Sequence, residues 1–380
     1  MALALVNGRV LTPAGFRDDA AVLVEDGRIA AVVAADDARV RDADRRDLEG
    51  GVLLPGFVDV QVNGGGGVLF NDAPTVDALA RIGAAHRRFG TTGFLPTLIS
   101  DDAEIMRAAI AAVDAAIEQR VPGVLGVHLE GPYIAPARHG AHDPAKFRVP
   151  DAQELELAGS LGRGVTVLTL APERVPAELV RALVARGVVV CIGHTDASYA
   201  QARAALDAGA RGFTHLYNAM SPLASRAPGV VGAALEDRAS WCGLIVDGHH
   251  VHPAALRVAL AAKPRGKCVL VTDAMPPVGG GGDTYRLAGA TITCRDGRCE
   301  TPDGVLAGSA LDMAQALRNA VELLGLPLDE AARMASTYPA EFLGLDRELG
   351  AIAPGRRADF VELDAALGVR RTWIGGIIAA

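Results

Sequence analysis

The middle of the chain alternates two hydrophobic patterns. Continuous apolar runs occupy 51–60, 93–98, 123–129, 165–170, 187–192, 212–215, 242–247 and 268–273. Runs without polar alternation predict strands buried on both faces, as in parallel sheets. Between them lie segments with apolar residues at helical spacing, such as TVDALARIGAAHRRFG, DAEIMRAAIAAVDAAIEQ and SYAQARAALDAG. Eight such βα repeats favour a closed (β/α)8 TIM barrel over an open sheet. The two ends read differently. Residues 1–52 form short strand patterns broken at Asn7-Gly8, Pro13-Ala14-Gly15 and Asp26-Gly27, an antiparallel signature. The segment from about 346, ELGAIAPGRRADFVELD followed by VRRTWIGGII, repeats it. The expected fold is therefore α/β: a barrel over 53–345 and a small β-sandwich domain built from both termini, 1–52 and 346–380.

Charge and composition narrow the function. The 380 residues carry 37 Lys+Arg against 45 Asp+Glu, a net charge of −8. That excludes a basic surface tracking nucleic acid but leaves room for one local anion pocket. No run of about 18 apolar residues predicts a membrane span. The start, MALALVNGRVLTPAG, lacks the charged and apolar regions of a signal peptide, so a cytoplasmic protein is expected. Five cysteines (Cys191, Cys242, Cys268, Cys294 and Cys299) are odd in number and scattered, which predicts reduced thiols rather than a disulfide framework. Two glycine quartets, 64–67 and 279–282, follow the first and eighth strands. They fit flexible loops or a close backbone approach to a ligand, and the second is a candidate lid.

The polar residues fall where a barrel builds its active site, at the C-terminal ends of strands. Those ends carry Asp59, Gln61, His128, Glu130, His194, His215, Asp247, His249, His250 and Asp273. Glu130, His194, His215 and Asp273 are separated by 64, 21 and 58 residues, about two, one and two βα units, so they should converge. One histidine alone is usually a satisfied core or surface residue. Two imidazoles and a carboxylate at strand ends are instead a ligand set for one catalytic divalent ion: Zn²⁺ first, with Fe²⁺ or Co²⁺ accepting the same N/O donors. Asp273 of VLVTDAM then fits a base that takes a proton from an activated water and returns it to a leaving amine. Its alternative is a helix cap. His142, in the loop after the third strand, could donate to a developing oxyanion. Arg226 and His250 could grip a phosphate or carboxylate.

At these residues the sequence resembles the N-acetylglucosamine-6-phosphate deacetylases of the amidohydrolase superfamily. The likeness covers nearly the whole chain, through LLPGFVDVQVNGGGG, LPTLIS, GVHLEGPYI, RHGAHDP, IGHTDA, THLYNAMSPL, LIVDGHHVHP, VTDAMPP, LAGSALDM and LGAIAPGRRADFVELD. It implies that Glu130, His194 and His215 hold the metal, that Asp273 shuttles the proton and that His142 polarises the acetyl carbonyl. It also implies sugar-phosphate contacts from Ala141, His142, Asn218, Ala219, Arg226 and His250. Leu306, Ala307 and Gly308 of LAGS would touch substrate through their backbone. A homodimer is implied, because a neighbouring subunit completes the family's phosphate site. Most amidohydrolases carry His-x-His at the end of the first strand for a second metal. Here Gln61-Val62-Asn63 stands there, and neither amide suits such an ion. One metal per site is expected, without Gln61 or Asn63 as ligands. Acetylgalactosamine 6-phosphate is the alternative substrate, because one hydroxyl orientation separates it from its epimer. The closing Val-Asn-Gly of the family is Ile374-Gly375-Gly376 here.

Overall fold

The structure is a computed structural model, and it describes residues 2–280 and 282–380. Eight parallel strands follow one another in sequence order: β1 (Phe57–Val62), β2 (Thr91–Ile99), β3 (Gly126–Glu130), β4 (Val165–Leu170), β5 (Val189–Ile192), β6 (Gly212–Phe213), β7 (Trp241–Leu244) and β8 (Cys268–Leu270). Their side chains are almost all buried, because the sheet's inner face packs on itself and helices such as Val76–Arg87 and Ala103–Glu118 cover its outer face. Some helix starts are specified locally by a capping side chain. Thr75 caps the first of these, and Ser198 with Gln201 forms a capping box on Tyr199–Asp207.

The barrel closes between β1 and the residues after β8. The Asp273 N–H donates to the Gln61 carbonyl at 3.0 Å, the Asn63 N–H donates to the Ala274 carbonyl at 2.9 Å, and Val62 bridges Ala274 in parallel. Under that seam Asp59 is fully buried. Its carboxylate accepts from the Thr272 hydroxyl at 2.5 Å and from the Gln61 N–H at 3.2 Å. Burial nonetheless pushes its carboxyl up to about 7.

Both chain ends meet in β structure. One sheet orders Arg28–Ala34, Ala20–Glu25, Leu3–Val6 and Asp44–Asp47. A six-stranded sheet orders Ile377–Ile378, Val369–Ile374, Phe360–Leu363, Val52–Pro55, Arg9–Thr12 and Gly15–Arg17. The apolar run at 51–60 is thus two strands in two sheets, and the β domain runs on through Pro55 instead of ending at 52. Gly56 stands at the break, and a Cβ there would lie 2.2 Å from the Thr92 hydroxyl.

The span 53–345 is not barrel alone. After β8 the chain forms a four-stranded antiparallel insert, β9 (Thr284–Leu287), β10 (Ala290–Arg295), β11 (Arg298–Glu300) and β12 (Leu306–Ser309). This insert corrects the expectation for the cysteines. β10 and β11 pair Cys294 directly opposite Cys299, and the two form a disulfide; Cys191, Cys242 and Cys268 are free and buried. A cross-strand pair does what a spacing count does not show, bringing two thiols face to face.

The first glycine quartet is not a loose loop. The Gly64 N–H donates to the Ala274 carbonyl, and the Gly66 and Gly67 N–H groups donate to the Val278 and Pro276 carbonyls. A Cβ at Gly65 would stand 2.8 Å from His86 Nε2, so the close approach is to the chain itself. Of the second quartet, Gly281 lies outside the described residues. Among the described residues no helix is long and apolar enough to cross a membrane.

Candidate active site

Glu130 closes β3, while His194 and His215 stand in the turns after β5 and β6. All three are buried. Glu130 Oε1 lies 2.9 Å from His215 Nε2 and 3.3 Å from His194 Nε2, and the two imidazole nitrogens are 3.0 Å apart. His194 (φ +48°) and His215 (φ +32°) both hold the left-handed backbone region, which L-residues avoid. That strain turns each side chain inward across the strand ends.

The tautomer of His194 is set by its surroundings. Its Nδ1 lies 2.9 Å from the Arg138 carbonyl, which can only accept, so Nδ1 carries the proton and Nε2 presents a lone pair. Glu130 Oε1, the His194 lone pair and His215 Nε2 therefore meet at one point. A shared proton satisfies two of them at a time, whereas a divalent cation satisfies all three. These residues fit such an ion, and they are the only His/Cys/Asp/Glu group of that kind among the described residues. Without a cation, burial works to raise the Glu130 carboxyl, but the two imidazoles set against it outweigh that and hold it well below the usual carboxylate range. His215 Nδ1 is buried without a partner.

Asp273 faces this group from the β8 side, also in left-handed backbone (φ +54°). Its Oδ1 accepts from Asn63 Nδ2 at 2.6 Å and from Gln61 Nε2 at 3.2 Å, and the same Gln61 nitrogen lies 3.0 Å from Glu130 Oε1. Burial, reinforced by the Glu130 charge, pushes its carboxyl up to about 6. Gln61 and Asn63 therefore aim N–H donors at carboxylates, where a second cation's ligands would instead aim lone pairs.

His142 sits beside His194, ring centroids 4.4 Å apart. The Ser100 N–H donates to His142 Nδ1 at 3.3 Å, and the Ser100 hydroxyl lies 2.9 Å from the same nitrogen. An N–H cannot accept, so the free proton of this imidazole is on Nε2. Burial first, then the neighbouring His194, hold the ring well below its ordinary pKa and so neutral. His142 is thus a neutral N–H donor. Ser100 carried no sequence signal beyond its place after a strand.

A cavity of about 410 Å³ opens over these groups. Of the expected contacts, Ala141, His142, Asn218, Ala219, His250, Leu306 and Gly308 line it. His250 is held by Asp247, whose carboxylate lies 2.6 Å from Nδ1. Two expected residues stand elsewhere: Arg226 is exposed on the loop before Gly229–Glu236, and the buried Ala307 gives its carbonyl to the Tyr285 hydroxyl. The cavity also has walls from Asn63, Arg138 and His139, which sequence reasoning did not assign to it.

A closed eight-stranded barrel with a His–His–Glu cluster and a buried acid at its C-terminal mouth defines a metal-dependent hydrolase of the TIM-barrel type. Residues 52–378 match the Amidohydrolase family, and the chain belongs to that family. An N-acetylgalactosamine-6-phosphate deacetylase from Shewanella sp. (strain ANA-3) is 43% identical over 97% of this chain and 94% of its own length. The Homo sapiens N-acetylglucosamine-6-phosphate deacetylase is 40% identical over 90% of this chain and 86% of its own. Among solved structures, the N-acetylglucosamine-6-phosphate deacetylase of Pasteurella multocida superposes with a TM-score of 0.96 at 34% identity, covering 99% of each chain.

Proposed function

We propose that the enzyme hydrolyses the acetamide of an N-acetylhexosamine 6-phosphate, releasing acetate and the amino sugar phosphate. N-acetyl-D-glucosamine 6-phosphate is the first substrate; the galactosamine epimer is the second reading, favoured by the 43% identical relative of that activity. The observation that carries the proposal is one cavity that holds the Glu130–His194–His215 cluster, the Asp273 carboxylate and the neutral His142 together.

A divalent ion held by Glu130, His194 and His215 supplies Lewis acidity toward water and the acetyl carbonyl, Zn²⁺ suiting the donors best. The rest falls to the chain. Asp273 takes a proton from water as its oxygen bonds to the carbonyl carbon. His142 Nε2–H donates to the oxygen on which charge develops. The C–N bond then breaks, its electron pair goes to nitrogen, and Asp273 returns the proton there. Both transfers are needed, because an amide anion is too poor a leaving group. His250, fixed by Asp247, stands at the cavity wall to bind phosphate, whereas Arg226, exposed on its loop outside the cavity, would join it only if that loop moved. Binding remote from the reacting bond then orients the amide. A partner subunit completing that phosphate site makes the enzyme a homodimer.

The test is acetate release by metal-quantified protein on N-acetylglucosamine 6-phosphate, N-acetylgalactosamine 6-phosphate and unphosphorylated N-acetylglucosamine. Preference for the first by kcat/KM is expected. Preference for the epimer keeps the chemistry and changes the substrate. Equal rates with and without phosphate would remove the phosphate site, and no release from any of the three would remove the proposal.

A further inference from the structure

Asn63 is used only by half. The side chain is 1% exposed and stands in the cavity wall beside Asp273. Its Nδ2 is committed to Asp273 Oδ1 at 2.6 Å. A carboxylate oxygen only accepts, so this contact fixes which end of the amide is nitrogen and turns Oδ1 the other way. That Oδ1 is buried and has no partner. Buried polar side-chain atoms are rarely left so. The backbone prevents drift to another partner: the Asn63 N–H donates to the Ala274 carbonyl, and the Asn63 carbonyl accepts from the Phe70 N–H, both at 2.9 Å.

We propose that Asn63 is a catalytic residue with two faces, its Nδ2–H pinning Asp273 Oδ1 while its free Oδ1 accepts the N–H of the substrate's acetamide. The inference rests on the amide hydrolysis proposed above. The first face selects the proton-carrying atom. Two amide donors, from Asn63 and Gln61, occupy Oδ1 of Asp273, so the proton taken from water resides on Oδ2. The second face sets the rotation of the leaving nitrogen. As the water oxygen bonds to carbon, that nitrogen loses its conjugation and gains a directed lone pair. With its N–H held on Asn63, the lone pair is turned toward Asp273 Oδ2. The C–N bond breaks, the electron pair stays on nitrogen, the proton moves from Oδ2 to nitrogen, and acetate and amine result.

The consequence is selective for amides. A thioester counterpart, with S-acetyl at C2 of the same sugar 6-phosphate, has no N–H and expels a thiolate that needs no proton. The experiment compares kcat on the amide and on this thioester for wild type and Asn63→Ala, with bound metal and thermal midpoint measured on both proteins. The near-isosteric Asn63→Leu gives the same comparison where the alanine variant does not fold. The expected result is a loss of about 10- to 100-fold on the amide, the size for one hydrogen bond to a buried polar partner, and about threefold or less on the thioester, with KM and metal content retained. Equal losses on both substrates, no loss on the amide, or a loss that tracks missing metal overturns the role of Asn63 and leaves the hydrolysis reading standing. A wild-type enzyme inert toward both epimeric 6-phosphates overturns that reading and this inference with it.

Discussion

Four side chains of the candidate site could be read from the sequence because each ends an apolar run: Glu130 on β3, and His194, His215 and Asp273 just past their strands. What the sequence did not show is how they are oriented. The Arg138 carbonyl that fixes the His194 tautomer and the Ser100 N–H that fixes His142 are backbone groups, without a side-chain signature. The Gln61–Asn63 pair was visible as missing metal ligands but not as donors to Asp273. Two residue-scale outcomes follow. Asp273→Asn keeps the hydrogen-bonding shape and removes the proton carrier, so kcat should fall by about 10²- to 10⁴-fold while bound metal stays constant. Near-normal turnover would end its role. His142→Ala removes the oxyanion donor and should cost about 10²- to 10³-fold in kcat with little change in metal content. A change confined to KM would instead make His142 a substrate-binding group.

At the scale of elements, the seam between β1 and β8 is where chemistry and stability meet. Asp59 stands at about 7 in the folded protein against an ordinary 3.8. Between those values the unfolded chain has lost this proton and the folded one keeps it, so the folded state binds more protons and stability falls as pH rises. The contribution is fully present below about pH 4 and gone above about pH 7. Asp59→Asn removes it, so the melting temperature of the variant relative to wild type should climb between pH 5 and pH 8; parallel curves would refute the burial argument. The insert makes the second element-scale case. β12 docks on the loop holding Asp273: the Ser309 N–H donates to the Asp273 carbonyl at 2.9 Å, and the Met275 N–H donates to the Ser309 carbonyl at 3.0 Å. Gly308 permits that approach (φ +62°), and a Cβ there would lie 2.5 Å from Met275 Cγ. Gly308→Ala should therefore lower kcat/KM at least tenfold while the thermal midpoint moves by only a few degrees, since the barrel core is untouched. Unchanged kinetics would show that β12 does not position Asp273. The insert was not legible because its strands are three to six residues long, too short for alternation to separate them from loop.

For the molecule as a whole, the barrel was legible because parallel strands buried on both faces must be apolar throughout, and eight such runs leave few architectures. The β domain was legible as a sandwich of strands from both ends but not in its strand pairing, since pairing between Val52–Pro55 and Phe360–Leu363 joins residues some 300 apart, beyond any local pattern. The same global view fixes how the metal couples to folding. The folded chain brings Glu130, His194 and His215 within one ligand shell, and the unfolded chain scatters them over 85 residues. An ion that binds only the folded state stabilises it by about 2.7 kcal/mol when present at 100 times its dissociation constant. Chelation should thus lower the thermal midpoint by several degrees, and Zn²⁺ should restore it. The restoring titration should saturate at one ion per chain, because Gln61 and Asn63 present N–H groups where a second ion would need lone pairs. Saturation at two ions would mean that those amides turn over to coordinate, and with that turn the hold on Asp273 Oδ1 would be lost. A midpoint indifferent to chelator would mean that the three donors hold no structural cation at all.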